Sequence, residues 1–184
     1  MKKLLVIPAL VVVPALATQW AWAAIQGTLG ATSTLTINVE IEVGREVRVF
    51  GLDPIDLGTF DFSLSQVQGS DTFCVYDNGA AFSQTYIITF TSTNNPGNFE
   101  LASGGNTIDY QVEYDDSQTG TNFRGAASGG PITGNVNGST GDVNCSSVGG
   151  DNGNVRVTVL AANAGSAPNG IYTDTLSILV SPDP

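Results

Sequence analysis

Thr34-Leu35-Thr36-Ile37-Asn38-Val39-Glu40-Ile41-Glu42-Val43 places an apolar side chain at every second position and a hydroxyl, amide or carboxylate between. A period of two puts successive side chains on opposite faces of an extended chain, so one face of this segment is aliphatic and the other polar or acidic. The same period recurs downstream. It predicts strands over residues 46–50, 55–62, 71–76, 85–93, 99–101, 108–114, 155–161 and 171–180. Val155, Val157 and Val159 share one face of the penultimate strand, and Tyr172, Leu176, Ile178 and Val180 share one face of the last. Turn chemistry falls between them at Gly51-Leu52-Asp53-Pro54, Asn94-Asn95-Pro96-Gly97 and Gly104-Gly105-Asn106. Short strands so spaced, with no helical stripe after residue 23, predict an all-β sandwich. Residues 115–154 are rich in Gly, Asn, Ser and Thr and read as a long loop region holding Cys145, with short β-like fragments near Ile132 and Val136.

Upstream of the alternating segment, Met-Lys-Lys is followed by an apolar run from Leu4 to Ala17 and the small-residue site Ala21-Trp22-Ala23. That order is a secretory signal peptide over residues 1–23, too short in its apolar part for a membrane span. Nothing after Ala23 is apolar over enough length to insert in a bilayer. Loss of Lys2 and Lys3 leaves Arg45, Arg48, Arg124 and Arg156 against 17 acidic residues. Four scattered cations make no basic patch, which argues against nucleic acid and anionic lipid as partners. In an exported chain the two cysteines, Cys74 and Cys145, read as one disulfide. Closing that loop stabilises by roughly 4 kcal/mol in the chain-entropy account.

Two readings of the first alternating segment stand side by side. Gly44-Arg45 suits a two-residue turn of type II′, which would fold residues 35–43 back on residues 46–50 as a hairpin. Alternatively the segment is a donor strand, held away from its own domain and added to the sheet edge of a neighbour. The second divides the chain into a signal peptide (1–23), an N-terminal donor-strand extension (24–43) and a β-sandwich domain (44–184).

Leu52-Asp53-Pro54-Ile55-Asp56-Leu57-Gly58-Thr59-Phe60, and the closing Gly170-Ile171-Tyr172-Thr173-Asp174-Thr175-Leu176-Ser177-Ile178-Leu179-Val180 with its Gly-x-Tyr-x-Asp-x-Leu pattern, resemble the spore coat protein U-like subunits of archaic chaperone–usher pili. The resemblance implies an immunoglobulin-like β-sandwich that is incomplete and is completed by a donor strand. It further implies a periplasmic chaperone, an outer-membrane usher and neighbouring pilus subunits as partners, and a final location on the cell surface. Carried over, Leu35, Ile37, Val39 and Ile41 are the inserted side chains, and Tyr172, Leu176, Ile178 and Val180 form one edge of the accepting groove. One departure concerns the cysteines. Many relatives carry one in the first strand of the domain, near residues 47–52, and this chain has none there. A shaft or adaptor position is expected, because a tip subunit carries an additional receptor-binding domain for which there is no room.

Chemistry is sparse. The absence of histidine excludes a Ser-His-Asp triad and a histidine zinc site. Asp109, Glu113, Asp115 and Asp116 are the remaining candidates for a carboxylate pair and read as a solvated rim. Asp115-Asp116 and Asp151-Asn152-Gly153-Asn154 offer oxygen ligands without completing a calcium-loop motif, so no metal and no cofactor are expected. Tyr76, Tyr86, Tyr110, Tyr114 and Phe123 read as core. On an exposed face they would instead suit a monomeric secreted domain that binds carbohydrate. No enzymatic activity is expected.

Overall fold

Two antiparallel sheets and a hairpin account for the strands in a computed structural model that describes residues 30–33, 39–79, 85–146 and 150–184. In chain order the elements are β1 (Val47–Phe50), β2 (Gln66–Asp77), β3 (Tyr86–Ser92), β4 (Glu100–Ser103), β5 (Asn106–Asp109), β6 (Gln111–Asp115), β7 (Arg124–Gly125), β8 (Pro131–Asn135), β9 (Gly153–Leu160), a one-turn helix α1 (Ala161–Ala164) and β10 (Leu176–Pro182). The larger sheet runs β1-β2-β9-β6-β7, the smaller β10-β3-β8, and β4 pairs with β5. All belong to the compact unit Gly44–Pro184. The fold is all-β and immunoglobulin-like, with the core between the sheets. Residues 1–29 and 34–38, which hold the expected signal peptide and the expected donor residues Leu35 and Ile37, lie outside the described residues.

Alternation explains the core. Phe73 and Val75 of β2, Val155, Val157 and Val159 of β9, and Val112 and Tyr114 of β6 face Tyr86, Ile88 and Phe90 of β3 and Ile132 of β8. Tyr114 lies at the centre, its ring 5.8 Å from those of both Phe73 and Phe90. Its hydroxyl is 2.7 Å from that of Tyr86, which donates to the Asp116 carboxylate. Burial pushes the Tyr86, Tyr114 and Tyr110 hydroxyls well above the usual tyrosine range, so they serve as neutral hydrogen-bonding groups. The Cys74–Cys145 disulfide is present with its Cα atoms 5.7 Å apart, pinning the loop before β9 to β2.

The structure departs from the sequence expectations in several places. Residues 55–62 form no strand. Pro54 lacks an N–H, the Asp56 carboxylate turns back to accept the Gly58 N–H at 2.8 Å, and Gly58 takes a positive φ. Residues 51–57 carry no ladder. β2 begins at Gln66 rather than near Asp71, because its N-terminal half is polar on the outward face. The 108–114 run divides at Tyr110, whose N–H turns to the Phe99 carbonyl at 3.0 Å, so that β5 pairs with β4 and β6 with β9. The Gly-rich region holds β7 and β8, and β8 is a member of the smaller sheet. The last strand starts at Leu176, five residues later than its alternation implies.

Candidate functional site

Both sheets end in an edge strand on the same side of the unit, and the space between is apolar. Among the described residues, β10 pairs with β3 along one edge only, and β1 pairs only with β2. After β1 the chain continues past β2 in the same register, Asp53 donating its N–H to the Asp71 carboxylate at 2.7 Å. Ile55 then lies over Gly69, where a Cβ would fall 2.6 Å from Ile55 Cγ2 and 3.0 Å from Leu57 Cδ2. Only glycine at that point of β2 lets the segment approach so closely. Residues 51–60 make no backbone-to-backbone hydrogen bond within a sheet or to another element among the described residues.

Leu52, Ile55 and Leu57 thereby form one wall of a groove whose other wall is Asp174, Leu176 and Ile178. Leu101, Tyr110, Val155 and Val157 complete the lining, and the groove encloses a cavity of about 280 Å³. Largely apolar lining between two backbone edges that have no ladder partner among the described residues is a geometry suited to an extended peptide added as a strand.

The Gly-x-Tyr-x-Asp-x-Leu pattern has a physical role at this site. Asp174 accepts hydrogen bonds from the Tyr110 hydroxyl at 2.6 Å, the Asn94 N–H at 3.1 Å and the Thr175 N–H at 2.8 Å. Burial alone would raise its pKa, but the hydrogen bonds from Tyr110, Ser92 and the Asn94 and Thr175 amides outweigh it and hold the carboxyl below its usual range. Thr173 exchanges two backbone bonds with Ala102, and the Tyr172 hydroxyl donates to the Pro168 carbonyl at 2.9 Å. A Cβ on Gly170 would come within 3.1 Å of Ser103 Oγ. The motif fixes the head of β10 against β4 and the β3–β4 turn, so that Leu176, Ile178 and Val180 lean toward the core.

The expected groove residues are thus distributed as follows. Leu176 and Ile178 line the cavity, while Tyr172 and Val180 are half-buried and pack on the core beside it. Of the expected donor residues, Val39 and Ile41 are each 86% exposed, and the neighbouring Val43 is 77% exposed. Residues 39–46 carry no strand, and the remainder of the 34–43 segment lies outside the described residues. The wall falls across residues 51–54, expected as a turn, and the start of 55–62, expected as a strand, and the Tyr110–Asp174 bond has no signal beyond the motif itself.

Other candidate residues are engaged structurally. Asp115 accepts from Ser117 and the Asn122 N–H, Asp116 from Tyr86 and the Val136 N–H, Asp109 from Asn98, and Glu113 pairs with Arg156 at 2.6 Å. Asp151 accepts from Thr72, and Asn152 bonds both the N–H and the carbonyl of Val75. Among the described residues no group of three or more acidic, cysteine or histidine side chains converges on a common point. Tyr86, Tyr110 and Tyr114 are buried, and Phe123 lies under the Arg156 guanidinium at 3.9 Å, so these aromatics do not form a stacking surface.

No family model matches the sequence, and no curated protein is similar enough in sequence to count as a relative. Among solved structures the chain is similar to one from a chaperone–tip adhesin complex of CFA/I fimbriae biogenesis, at 14% identity and a TM-score of 0.51, over 75% of this chain and 42% of that one. A second is from the CsuC–CsuE chaperone–tip adhesion subunit pre-assembly complex of the archaic chaperone–usher Csu pili of Acinetobacter baumannii, at 18% identity and a TM-score of 0.43, over 75% of this chain and 40% of that one. The chain spans about two fifths of the length of the solved chains it matches. The first likeness is one of fold, and it agrees with the immunoglobulin-like arrangement of the sheets.

Proposed function

We propose that this chain is an exported subunit of a chaperone–usher surface fibre that polymerises by donor-strand exchange. The observation that carries the reading is the open groove between residues 52–57 and β10, largely apolar and flanked by backbone edges that lack a ladder partner among the described residues. Its occupant is the segment of residues 34–43 from a neighbouring subunit, whose alternating Leu35, Ile37, Val39 and Ile41 match an apolar groove read at every second residue. The exposure of Val39, Ile41 and Val43 supports an apolar face that is available to a neighbouring subunit. Before assembly a periplasmic chaperone covers the same groove, and an outer-membrane usher is where the exchange occurs. The solved neighbour with the higher TM-score comes from a chaperone–adhesin complex, which supports this assignment of partners. The subunit's role is structural or adhesive, and it catalyses no reaction.

The test is the assembly state of the mature protein with and without residues 24–43, followed on unheated gels and by size exclusion. Detergent-resistant polymers from the full chain, and capture of a synthetic peptide spanning residues 34–43 by the shortened one, are expected. A full chain that remains a stable monomer and unfolds on the deletion would refute the reading.

A further inference from the structure

We infer that Arg45 and the three segments it joins form a mechanical junction, through which a pull on the N-terminal extension is passed directly into β10. The inference rests on the fibre reading for its biological sense, though not for its physical content. Arg45 follows immediately after the exposed residues 39–44 and is the first side chain of the compact unit to be anchored. Its guanidinium donates to Asp77 through Nε at 3.1 Å and Nη2 at 2.7 Å, to the Thr85 carbonyl through Nη2, and to the Asp183 carbonyl through Nη1 at 3.0 Å. One planar group thus reaches the end of β2, the start of β3 and the end of β10.

The surroundings make the junction stiff. The Asp77 side chain is fully buried and also accepts the Gly79 N–H at 2.8 Å. Asp183 is held to Thr85 twice, by its own N–H on the Thr85 carbonyl at 2.9 Å and by its carboxylate on Thr85 Oγ1 at 2.7 Å. On the other side, Asn78 accepts the Glu46 N–H at 2.8 Å and donates from Nδ2 to the Gly44 carbonyl at 2.9 Å, so the backbone on both sides of Arg45 is pinned. In a fibre joined by donor strands, tension enters a subunit at Gly44 and leaves by way of the strand lodged beside β10. Arg45 connects those two points without routing the force through the core. A lysine keeps the charge opposite Asp77 but offers no planar fork to span three acceptors on separate segments.

The experiment is single-molecule force spectroscopy on the full mature chain with its disulfide intact, using engineered cysteines as handles in two geometries. In the first, handles at Val43→Cys and Thr107→Cys load the junction. In the second, handles at Thr107→Cys and Gln118→Cys load the β5–β6 region away from it. Arg45→Lys and the charge-neutral pair R45Q/D77N avoid leaving a buried carboxylate alone. Both are expected to rupture roughly ten- to hundredfold faster than wild type at a held force in the first geometry, the rate equivalent of one or two lost charged hydrogen bonds, and at the wild-type rate in the second. Equal acceleration in both geometries would reduce Arg45 to a general stabiliser, and no acceleration in either would refute the junction outright. Capture of the 34–43 peptide by the same proteins separates the two ideas. Capture with force-insensitive variants sinks the junction alone, whereas directional weakening without capture sinks the fibre reading and leaves the junction standing.

Discussion

Replacing Asp174 tests the account of the Gly-x-Tyr-x-Asp-x-Leu motif most directly. In Asp174→Ala three donors lose their acceptor: the Tyr110 hydroxyl and the N–H groups of Asn94 and Thr175. Asp174 itself is half-buried, so water replaces it at the two amides at little cost. Tyr110 is 5% exposed, and its hydroxyl is the donor that water reaches least readily. The expected loss is therefore about 1–3 kcal/mol, the cost of one buried unsatisfied donor, or a fall of roughly 3–9 °C in melting temperature. Urea unfolding at pH 7 measures it, and a double-mutant cycle with Tyr110→Phe assigns it to the pair, since Y110F/D174A should be little worse than Asp174→Ala. The pH dependence adds an independent check. The folded carboxyl is held below its usual range, so the stability it contributes is fully present above the unfolded carboxylate's value and is lost as pH falls through the folded one. The advantage of wild type over Asp174→Asn should be constant between about pH 5 and 7 and shrink below about pH 4. A gap that is absent at pH 7, or that persists unchanged into acid, would refute the argument.

Three further outcomes follow from the same geometry. Cys74→Ser with Cys145→Ser should cost about 2–4 kcal/mol in denaturant unfolding, with a matching response of wild type to reductant, because the bridge spans 71 residues. Phe90→Ala, which empties a fully buried site beside Tyr114, should cost about 3–5 kcal/mol and leave a broadened near-ultraviolet dichroism spectrum. Gly69→Ala drives a methyl group to within 2.6 Å of Ile55 Cγ2 and displaces the groove wall, so it should weaken capture of the 34–43 peptide by about tenfold or more, with only about 1–3 kcal/mol lost from the domain. Calorimetric titration and thermal melting separate the two effects.

Legibility in the sequence followed local periodicity and failed where side chains or tertiary contacts replaced it. Tyr86-Ile87-Ile88-Thr89-Phe90 announces β3 because each alternate residue is buried between the sheets. β8 is nearly silent by comparison. Its end is fixed by the buried Asn135, whose amide donates to the Tyr86 and Ile132 carbonyls at 2.8 Å and accepts from Arg124. Asn and Gly at such positions read as loop until the partner strand is known. Tyr110 is hidden for a different reason, because the change of sheet there depends on the Phe99 carbonyl eleven residues upstream. At the groove, the β10 wall was legible from its alternation. The facing wall was legible only as an apolar pattern, since what holds residues 52–57 in place is the missing Cβ of Gly69, a property of another strand.

The placement of polar anchors shows how the unit keeps an unpaired strand in order. Among the described residues β10 has a ladder on one side only, yet its inner face leans into a groove where a misplaced backbone would close the opening or peel away. At its head, Asp174 gathers Tyr110, Asn94 and Thr175, and at its tail, Asp183 is gathered by Thr85 and Arg45. Between these two carboxylates the inward positions Leu176, Ile178 and Val180 are purely aliphatic. Hydrogen-bonded pins at both ends hold the strand at a fixed spacing while the middle keeps one backbone edge and one apolar face available. Had the pins been spread along the strand, the groove would be polar and would recognise a strand poorly. Had they been absent, β10 would depend on the β3 ladder alone.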